Sequence, residues 1–211
     1  MGVLHKTMII ITSDHGEEFL EHGAFGHVGR QFVTHMYEEL LRVPLIIINF
    51  SENVMGKDLL RKVVSVEWLQ IDLLPTLCGI MNVSKPRNVD GIDIFSTIMK
   101  GTNIDMLRNH RVMISEASLM NYGRGFKYID VNEQVIISVR KYPWKLIKYD
   151  LFKEELYNIE DDPYERNNLI RSSSSDDVVE DLRKIAIKRL RRIRREFLRS
   201  KIVSKLKFKQ S

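Results

Sequence analysis

The stretch that decides the fold runs from Met8 to Ile48 and reads MIIITSDHGEEFLEHGAFGHVGRQFVTHMYEELLRVPLIII. An apolar run, Met8 to Ile11, stops at Thr12-Ser13 and opens into Asp14-His15-Gly16, and a second apolar run, Val43 to Ile48, closes the stretch. Both runs predict buried β-strands. The loop between them therefore begins at the carboxyl end of a strand, which is where ligands bind in open α/β sheets.

This loop contains four of the six histidines of the chain: His15, His22, His27 and His35. Asp14 and His15 offer a hard carboxylate oxygen and an imidazole nitrogen side by side, a pair that suits a divalent metal cation. The alternative is structural, with Asp14 capping a helix whose first turn contains Glu17, Glu18 and Glu21. The spacing alone leaves both interpretations open.

The order of motifs along the chain closely resembles the carboxyl-terminal half of a sulfatase, in the alkaline-phosphatase-like superfamily. The resemblance starts in the loop and continues over most of residues 8–170. The segments that carry it are Ser13 to Glu18, Glu21-His22-Gly23, Phe25-Gly26-His27, Tyr37 to Leu45, Val66 to Leu77, Asp90-Gly91, Trp144 to Ile147, Glu155 to Pro163 and Asn167-Asn168-Leu169.

The resemblance implies a fold class and a chemistry. The expected fold is α/β: part of an alkaline-phosphatase-like mixed sheet with flanking helices, then a small antiparallel sheet and a long basic C-terminal helix. The expected enzyme is a metal-dependent sulfuric ester hydrolase with a sulfate-ester substrate. Calcium is the cation expected from the family, and His15 makes manganese or zinc the alternatives, since an imidazole is a poor ligand for calcium.

The same resemblance assigns roles to individual residues. Asp14 matches the family's metal-binding aspartate, and His15 occupies the neighbouring ligand position. His27 lies near the position at which members of the family carry a Lys or His that contacts the sulfate or its leaving oxygen. Arg30 and His35 are the alternatives for this catalytic role. His22 is interpreted instead as a residue that packs within the loop.

The nucleophile of the family is missing from this sequence. Sulfatases carry a Cys or Ser, matured to formylglycine, in a Cys/Ser-x-Pro-x-Arg stretch; the nearest approach here, Ser84 to Asn88, has its arginine one position early. Cys78, the lone cysteine, lies among apolar residues and predicts an inert buried thiol. We therefore expect a truncated chain that is inactive alone and that needs a separate polypeptide carrying the N-terminal part.

Periodicity and turn residues predict the remaining elements. The expected division is 1–108 for the α/β core, 109–171 for the antiparallel sheet, and 172–211 for a serine-rich linker and the basic helix. Predicted helices are Tyr37 to Leu41, Ser65 to Ile80 and Ile94 to Met99. Predicted short strands are Val112 to Ser115, Lys127 to Val131, Gln134 to Arg140 and Trp144 to Tyr149.

The basic charge of the chain is concentrated in its tail. Thirteen of the 33 Lys and Arg residues lie between Arg183 and Lys209, together with a single acid, Glu196. Outside this segment 20 basic and 27 acidic residues remain, so the rest of the chain is acidic. The tail predicts an amphipathic helix that starts at Asp176-Asp177 and packs on the domain, with nucleic acid or an anionic surface as alternative partners of residues 183–209.

Two rival functions stay open at this level. A phosphodiester or phosphonate hydrolase of the same superfamily would use the same Asp14–His15 pair. A non-catalytic remnant would bind an acidic partner through the basic tail. No apolar run approaches the length of a transmembrane segment, and no signal peptide is recognised, so cytoplasmic residence is the expectation.

Overall fold

A computed structural model describes residues 3–27, 35–50, 67–100, 107, 109–118, 135–149, 153–172 and 176–208. The chain forms two compact units, the first comprising Met1–Asp14 and Val43–Arg111, the second His15–Arg42 and Val112–Ser211. The three-part division that the sequence suggested stays a prediction.

The elements follow one another along the chain in this order. The strands are β1 (Met8–Thr12), β2 (Glu18–Phe19), β3 (Phe25–Gly26), β4 (Leu45–Asn49), β5 (Val112–Ser118), β6 (Val135–Lys141), β7 (Trp144–Lys148) and β8 (Glu154–Asn158). The α-helices are α1 (Glu38–Leu41), α2 (Leu73–Ile80), α3 (Ile94–Met99) and α4 (Asp176–Phe208), with 3-10 turns at Leu4–Lys6 and Gln70–Asp72.

In the first unit, β1 and β4 pair antiparallel, with Met8 opposite Asn49 and Thr12 opposite Leu45. The prediction that both strands are buried was wrong. The side chains of Ile9, Ile11 and Ile46 are 40%, 49% and 51% exposed. Among the described residues the sheet consists of these two strands only, and one set of isoleucines therefore remains open to solvent.

The helical segment of the first unit is shorter than predicted. It begins with the 3-10 turn at Gln70–Asp72 and continues as α2, while residues 65 and 66 lie outside the described part of the chain. Asp72 is fully buried and accepts hydrogen bonds from the backbone of Leu69 (2.8 Å) and Ile92 (2.9 Å) and from Arg111 (2.6 Å). This carboxylate is therefore structural.

The second unit is built on the antiparallel sheet β5-β6-β7-β8. Three of the four predicted strands are confirmed with shifted ends, and the fourth, Lys127 to Val131, lies outside the described residues. The turn between β6 and β7 contains the cis peptide bond Tyr142–Pro143. Because successive side chains in a strand point to opposite faces, each strand supplies residues to both sides of the sheet.

Both faces of this sheet are covered, which explains the nearly continuous apolar run in β6. Helix α4 packs on one face through Val179, Leu182 and Ala186, against Ile137, Val139, Leu146 and Leu156. The segment before α1 packs on the other face through Met36 and Tyr37, against Ile136, Ile147, Tyr149, Tyr157 and Ile159. The loop that carries the histidines is thus attached to the sheet by its own apolar side chains.

Candidate metal-binding site

The histidine loop forms a small β-hairpin instead of the helix that Glu17, Glu18 and Glu21 suggested. Strands β2 and β3 pair antiparallel, with Glu18 opposite Gly26 and Phe19 opposite Phe25. Extending this register by one residue brings Glu17 opposite His27. No helix begins at Asp14, so the capping interpretation of that residue was wrong.

A buried carboxylate holds the hairpin turn together. Glu18 is 1% exposed, and its Oε1 accepts hydrogen bonds from the backbone N–H groups of His22 (2.8 Å) and Ala24 (3.0 Å). At Gly26 the backbone has φ +92°, a conformation that side chains rarely adopt, and a Cβ there would lie 3.1 Å from Oε1 of Glu17. Gly26 therefore leaves room for the Glu17 carboxylate beside His27.

A close backbone approach fixes the start of the loop. The N–H of Gly16 donates to the carbonyl oxygen of Leu40 in α1 at 2.8 Å. A Cβ at Gly16 would lie 1.8 Å from the carbonyl oxygen of Glu39, a distance that no side chain could occupy. Only glycine fits at this position, which lies between His15 and Glu17.

The hairpin brings together three side chains that can bind a metal: His15, Glu17 and His27. One ligand atom from each lies within 4.8 Å of the other two. The imidazole centroids of His15 and His27 are 4.5 Å apart, and Nδ1 of His27 lies 3.5 Å from Oε1 of Glu17. Two ligands at 2.1 Å from a tetrahedral zinc ion are about 3.4 Å apart, so the His27–Glu17 separation already fits one ion.

The backbone carbonyl of Gly16 favours one tautomer of the neutral His15 ring. Its Nδ1 lies 2.8 Å from the carbonyl oxygen of Gly16, which can only accept a hydrogen bond. In the neutral ring, the tautomer that satisfies this contact has its proton on Nδ1 and the lone pair that a metal needs on Nε2. Histidine ligands of metal sites generally donate their second N–H in this way.

The other predicted site residues lie in different surroundings. Asp14 belongs to the first unit, where its side chain is exposed, Oδ1 accepts a hydrogen bond from Ser13 (3.4 Å), and its backbone carbonyl accepts one from Gln70 (3.0 Å). Arg30 lies outside the described residues. His22 stacks on Tyr37 with centroids 3.6 Å apart, in agreement with a packing role.

His35 is also mostly enclosed, with 17% of its side chain exposed. Its ring stacks on Tyr37 at 5.5 Å, and its Nε2 lies 4.0 Å from a carboxylate oxygen of Glu18. Burial lowers the pKa of His35, against the opposing effect of Glu18. A neutral, enclosed imidazole suits packing better than the cationic role for which His35 was an alternative.

Glu17 is the site residue that sequence reasoning missed. Its carboxylate was interpreted as part of a helical first turn because three glutamates follow Asp14 within seven positions. The signal that could have found it is the alternation His15-x-Glu17 followed by a glycine-flanked turn and His27.

The comparisons with known proteins agree with the motifs. Residues 21–194, most of the chain, match the family described as N-sulphoglucosamine sulphohydrolase, C-terminal. The chain belongs to the sulfatase family. It is similar to arylsulfatase K of Xenopus laevis, with 27% identity over 171 residues that cover 80% of this chain and 28% of the relative. The sulfatase-family chain thus spans less than a third of that relative's length.

Solved structures show the fold. A putative sulfatase from Bacteroides thetaiotaomicron superposes with a TM-score of 0.69 at 23% identity, covering 95% of this chain and 39% of that one. The phosphonate monoester hydrolase of Agrobacterium radiobacter also gives a TM-score of 0.69, at 20% identity, covering 92% of this chain and 36% of that one. The α/β, alkaline-phosphatase-like fold class expected from the sequence is therefore confirmed.

Within the sulfatase family a divalent metal is generally used, and the residues present can be compared with that requirement. Two imidazole nitrogens and one carboxylate oxygen are a donor set that suits zinc or manganese. Calcium prefers six to eight oxygen ligands, so this set suits calcium poorly. The side chains of His27 and Glu17 are 55% and 40% exposed, which leaves the three ligands accessible from solvent.

Proposed function

We propose that this chain supplies the carboxyl-terminal part of a metal-dependent, sulfatase-like hydrolase of sulfate esters. In this proposal His15, Glu17 and His27 bind the cation. The observation that carries it is the convergence of these three side chains in a hairpin of a sulfatase-family member. The ligand role that the resemblance assigned to Asp14 stays a prediction.

Zinc is the first candidate for the cation, and manganese the second. Catalytic zinc sites commonly have three protein ligands, two histidines and a glutamate among them, with a fourth position left for water or substrate. The hairpin offers that number and kind of ligand. Calcium, the cation expected from the family, would need additional oxygen ligands from residues other than these three.

His15 and His27 have different roles in the proposed reaction. When bound, the cation would polarise a sulfate oxygen and lower the pKa of the attacking hydroxyl. His15 is held in one tautomer by Gly16, so that Nε2 is ready to bind. For His27 the sequence also predicted a second role, proton donation to the departing alcohol or stabilisation of charge on the transferred group. Its exposed ring is accessible for this role.

The nucleophile would come from residues outside this sequence, because no Cys/Ser-x-Pro-x-Arg stretch is present. Exposed apolar side chains support the idea that another polypeptide segment covers part of this surface. Phe19, Leu20 and Phe25 at the hairpin are 61%, 65% and 70% exposed. A monomer rarely leaves such residues clustered in water.

The proposal is tested by turnover measured on the metal-loaded chain. We expect no hydrolysis of 4-nitrophenyl sulfate above the level of a His15→Ala/His27→Ala double variant. Hydrolysis should appear when the nucleophile-bearing part of the sulfatase is added, and this activity should be lost in the double variant. Hydrolysis by the chain alone, abolished in the double variant, would show that the sequence contains a nucleophile after all.

A phosphonate or phosphodiester hydrolase is the second candidate. The likeness in fold to a phosphonate monoester hydrolase is as close as the likeness to a sulfatase. Sulfate and phosphonate esters both present tetrahedral groups with anionic oxygens, so the same cation could serve either reaction. Parallel assays with 4-nitrophenyl sulfate and a 4-nitrophenyl phosphonate ester, on the complemented protein, distinguish the two functions.

A further inference from the structure

We propose that an exposed row of basic side chains on α4 binds the phosphate backbone of double-stranded nucleic acid. The row consists of Lys184, Lys188, Arg191, Arg195 and Arg199, and is called the basic face below. All five side chains are exposed. This surface is separate from the hairpin site, and the inference is independent of the proposed hydrolase activity.

The spacing of the basic face aligns its charges. The residues follow one another at intervals of four, three, four and four positions, which places them on one stripe of a helix with 3.6 residues per turn. At 1.5 Å per residue the row is about 22 Å long. One acidic residue, Glu196, falls within this span of the sequence.

The opposite side of α4 is occupied by the protein itself. Val179, Leu182 and Ala186 are buried against the sheet. Two arginines on the flank of the helix also point toward the sheet: Arg183 pairs with Glu154 at 2.7 Å, and Arg189 pairs with Glu116. These contacts fix the rotation of the helix about its axis. The basic face is consequently held away from the sheet.

The charges of the basic face are largely left without acidic partners. Lys188, Arg191 and Arg199 form no ion pair with any residue in the described ranges. Arg195 donates to the carbonyl oxygen of Arg191 at 3.3 Å, which leaves its positive charge uncompensated by that contact. Lys184 has a distant pair with Glu180, at 3.7 Å. The row therefore presents net positive charge to solvent.

The chemistry of the row favours a duplex as its partner. A duplex carries one phosphate per about 3.4 Å along each strand, so a straight row of cations can follow it. Three of the five residues in the row are arginines, and one guanidinium group can bind two phosphate oxygens at once. Insertion into a lipid surface requires a free apolar face, whereas the apolar face of α4 packs on the sheet from Val178 as far as Ile193. Single-strand binding requires aromatic side chains, and none belongs to the row.

The test uses the full chain and a fluorescein-labelled 20-base-pair DNA of random sequence. The affinity for this DNA is measured by fluorescence anisotropy between 50 and 200 mM salt, the range over which binding through phosphate contacts weakens strongly. If all five residues of the basic face contact phosphates, the slope of log K against log salt should be about −4.5. A variant that loses three of these contacts should give a slope of about −2. The variant Lys188→Glu/Arg191→Glu/Arg195→Glu should lose at least about tenfold in affinity at the lower salt.

The matched control is Lys85→Glu/Arg87→Glu/Lys100→Glu, which changes the net charge equally at exposed positions of the first unit. Circular dichroism checks that both variants fold. Unchanged affinity in the control supports the proposal. An equal loss in both variants, or no binding of duplex at 50 mM salt, would overturn it. So would tighter binding to heparin, or to vesicles containing phosphatidylserine, at the same salt.

Discussion

The ammonium nitrogen of Lys145 lies 2.7 Å from a carboxylate oxygen of Glu165, and both side chains are inaccessible to solvent. The same nitrogen lies 2.9 Å from Glu38, the first residue of α1, which also pairs with Arg140 at 3.1 Å. The backbone N–H of Glu38 donates to Glu165 at 2.6 Å. This buried cluster attaches α1, and with it the hairpin loop, to the antiparallel sheet.

Removing the shared cation should destabilise the second unit strongly. Burial raises the pKa of Glu165 against the effect of Lys145, whereas Lys145 and Arg140 overcome burial to hold the pKa of Glu38 below its ordinary value. Lys145→Met would leave both carboxylates without this partner, and we expect a loss of about 3–5 kcal/mol in the free energy of unfolding. Urea denaturation measures it.

A second substitution tests the cause of this loss. Adding Glu165→Leu to Lys145→Met removes one of the buried charges that the first change leaves unpaired, so part of the stability should return. The exposed Lys85→Met serves as the control and should change stability little. If the two substitutions act independently, the double variant will be less stable than Lys145→Met by the whole loss measured for Glu165→Leu alone. That result would contradict the coupling between the two side chains.

Three tyrosines should resist ionisation in the folded protein. Tyr37, Tyr149 and Tyr157 donate hydrogen bonds of 2.9, 3.1 and 3.2 Å to the same oxygen of Glu155. Burial raises the pKa of each of these hydroxyls well above the usual 10, and the Glu155 carboxylate adds to the shift. Ultraviolet absorbance should therefore show three of the seven tyrosines protonated at about pH 11.

The same shift predicts how stability depends on alkaline pH. Because the three hydroxyls hold their protons more tightly in the folded state, their contribution is complete below about pH 10 and is lost as pH rises further. Tyr157→Phe should weaken this dependence. Simultaneous titration of all seven tyrosines near pH 10, with the fold intact, would contradict the arrangement.

His35 should behave differently from the proposed ligands. Burial lowers its pKa, so the folded state favours the neutral imidazole, and stability should fall as pH decreases below about 6.5. His35→Phe should weaken that acid dependence and leave metal affinity unchanged. Proton NMR titration of the histidines measures the shift, with exposed His110→Phe as the control. A pKa of His35 at or above the usual value would contradict the structure.

Gly16→Ala should distort the loop between two proposed ligands. A Cβ there would meet the Glu39 carbonyl, so we expect about 1–3 kcal/mol of destabilisation together with weaker metal affinity. Gly79→Ala is a matched control, since its Cβ would meet the Asp93 carboxylate at 1.9 Å in the first unit. The control should lose stability but not metal affinity. Equal effects of both changes on affinity would contradict a role of Gly16 in positioning the ligands.

The sequence predicted elements whose signals are local. Helix α3 agrees with the predicted Ile94–Met99, and its start is set by Asp93, which accepts a hydrogen bond from the backbone of Ser96. The resemblance to sulfatases identified the family correctly because its motifs are ordered along the chain.

Features that depend on distant contacts could not be predicted in this way. Lys145 lies in an apolar run, and its partners Glu38 and Glu165 are 107 and 20 positions away, so no local pattern indicates a buried ion pair. Strands β2 and β3 have two residues each, too few for a periodic signal. Glu17 was therefore assigned to a helix, although the register of the hairpin places it opposite His27.

The measurement that tests the account most directly is calorimetric titration of zinc into the chain and its variants. One ion should bind per chain, more tightly than calcium. Affinity should fall about 100-fold in each of His15→Ala, Glu17→Gln and His27→Ala. The exposed His5→Ala should leave it unchanged. Absence of zinc binding, or equal affinity in the Glu17→Gln variant and the unaltered chain, would contradict the proposed site.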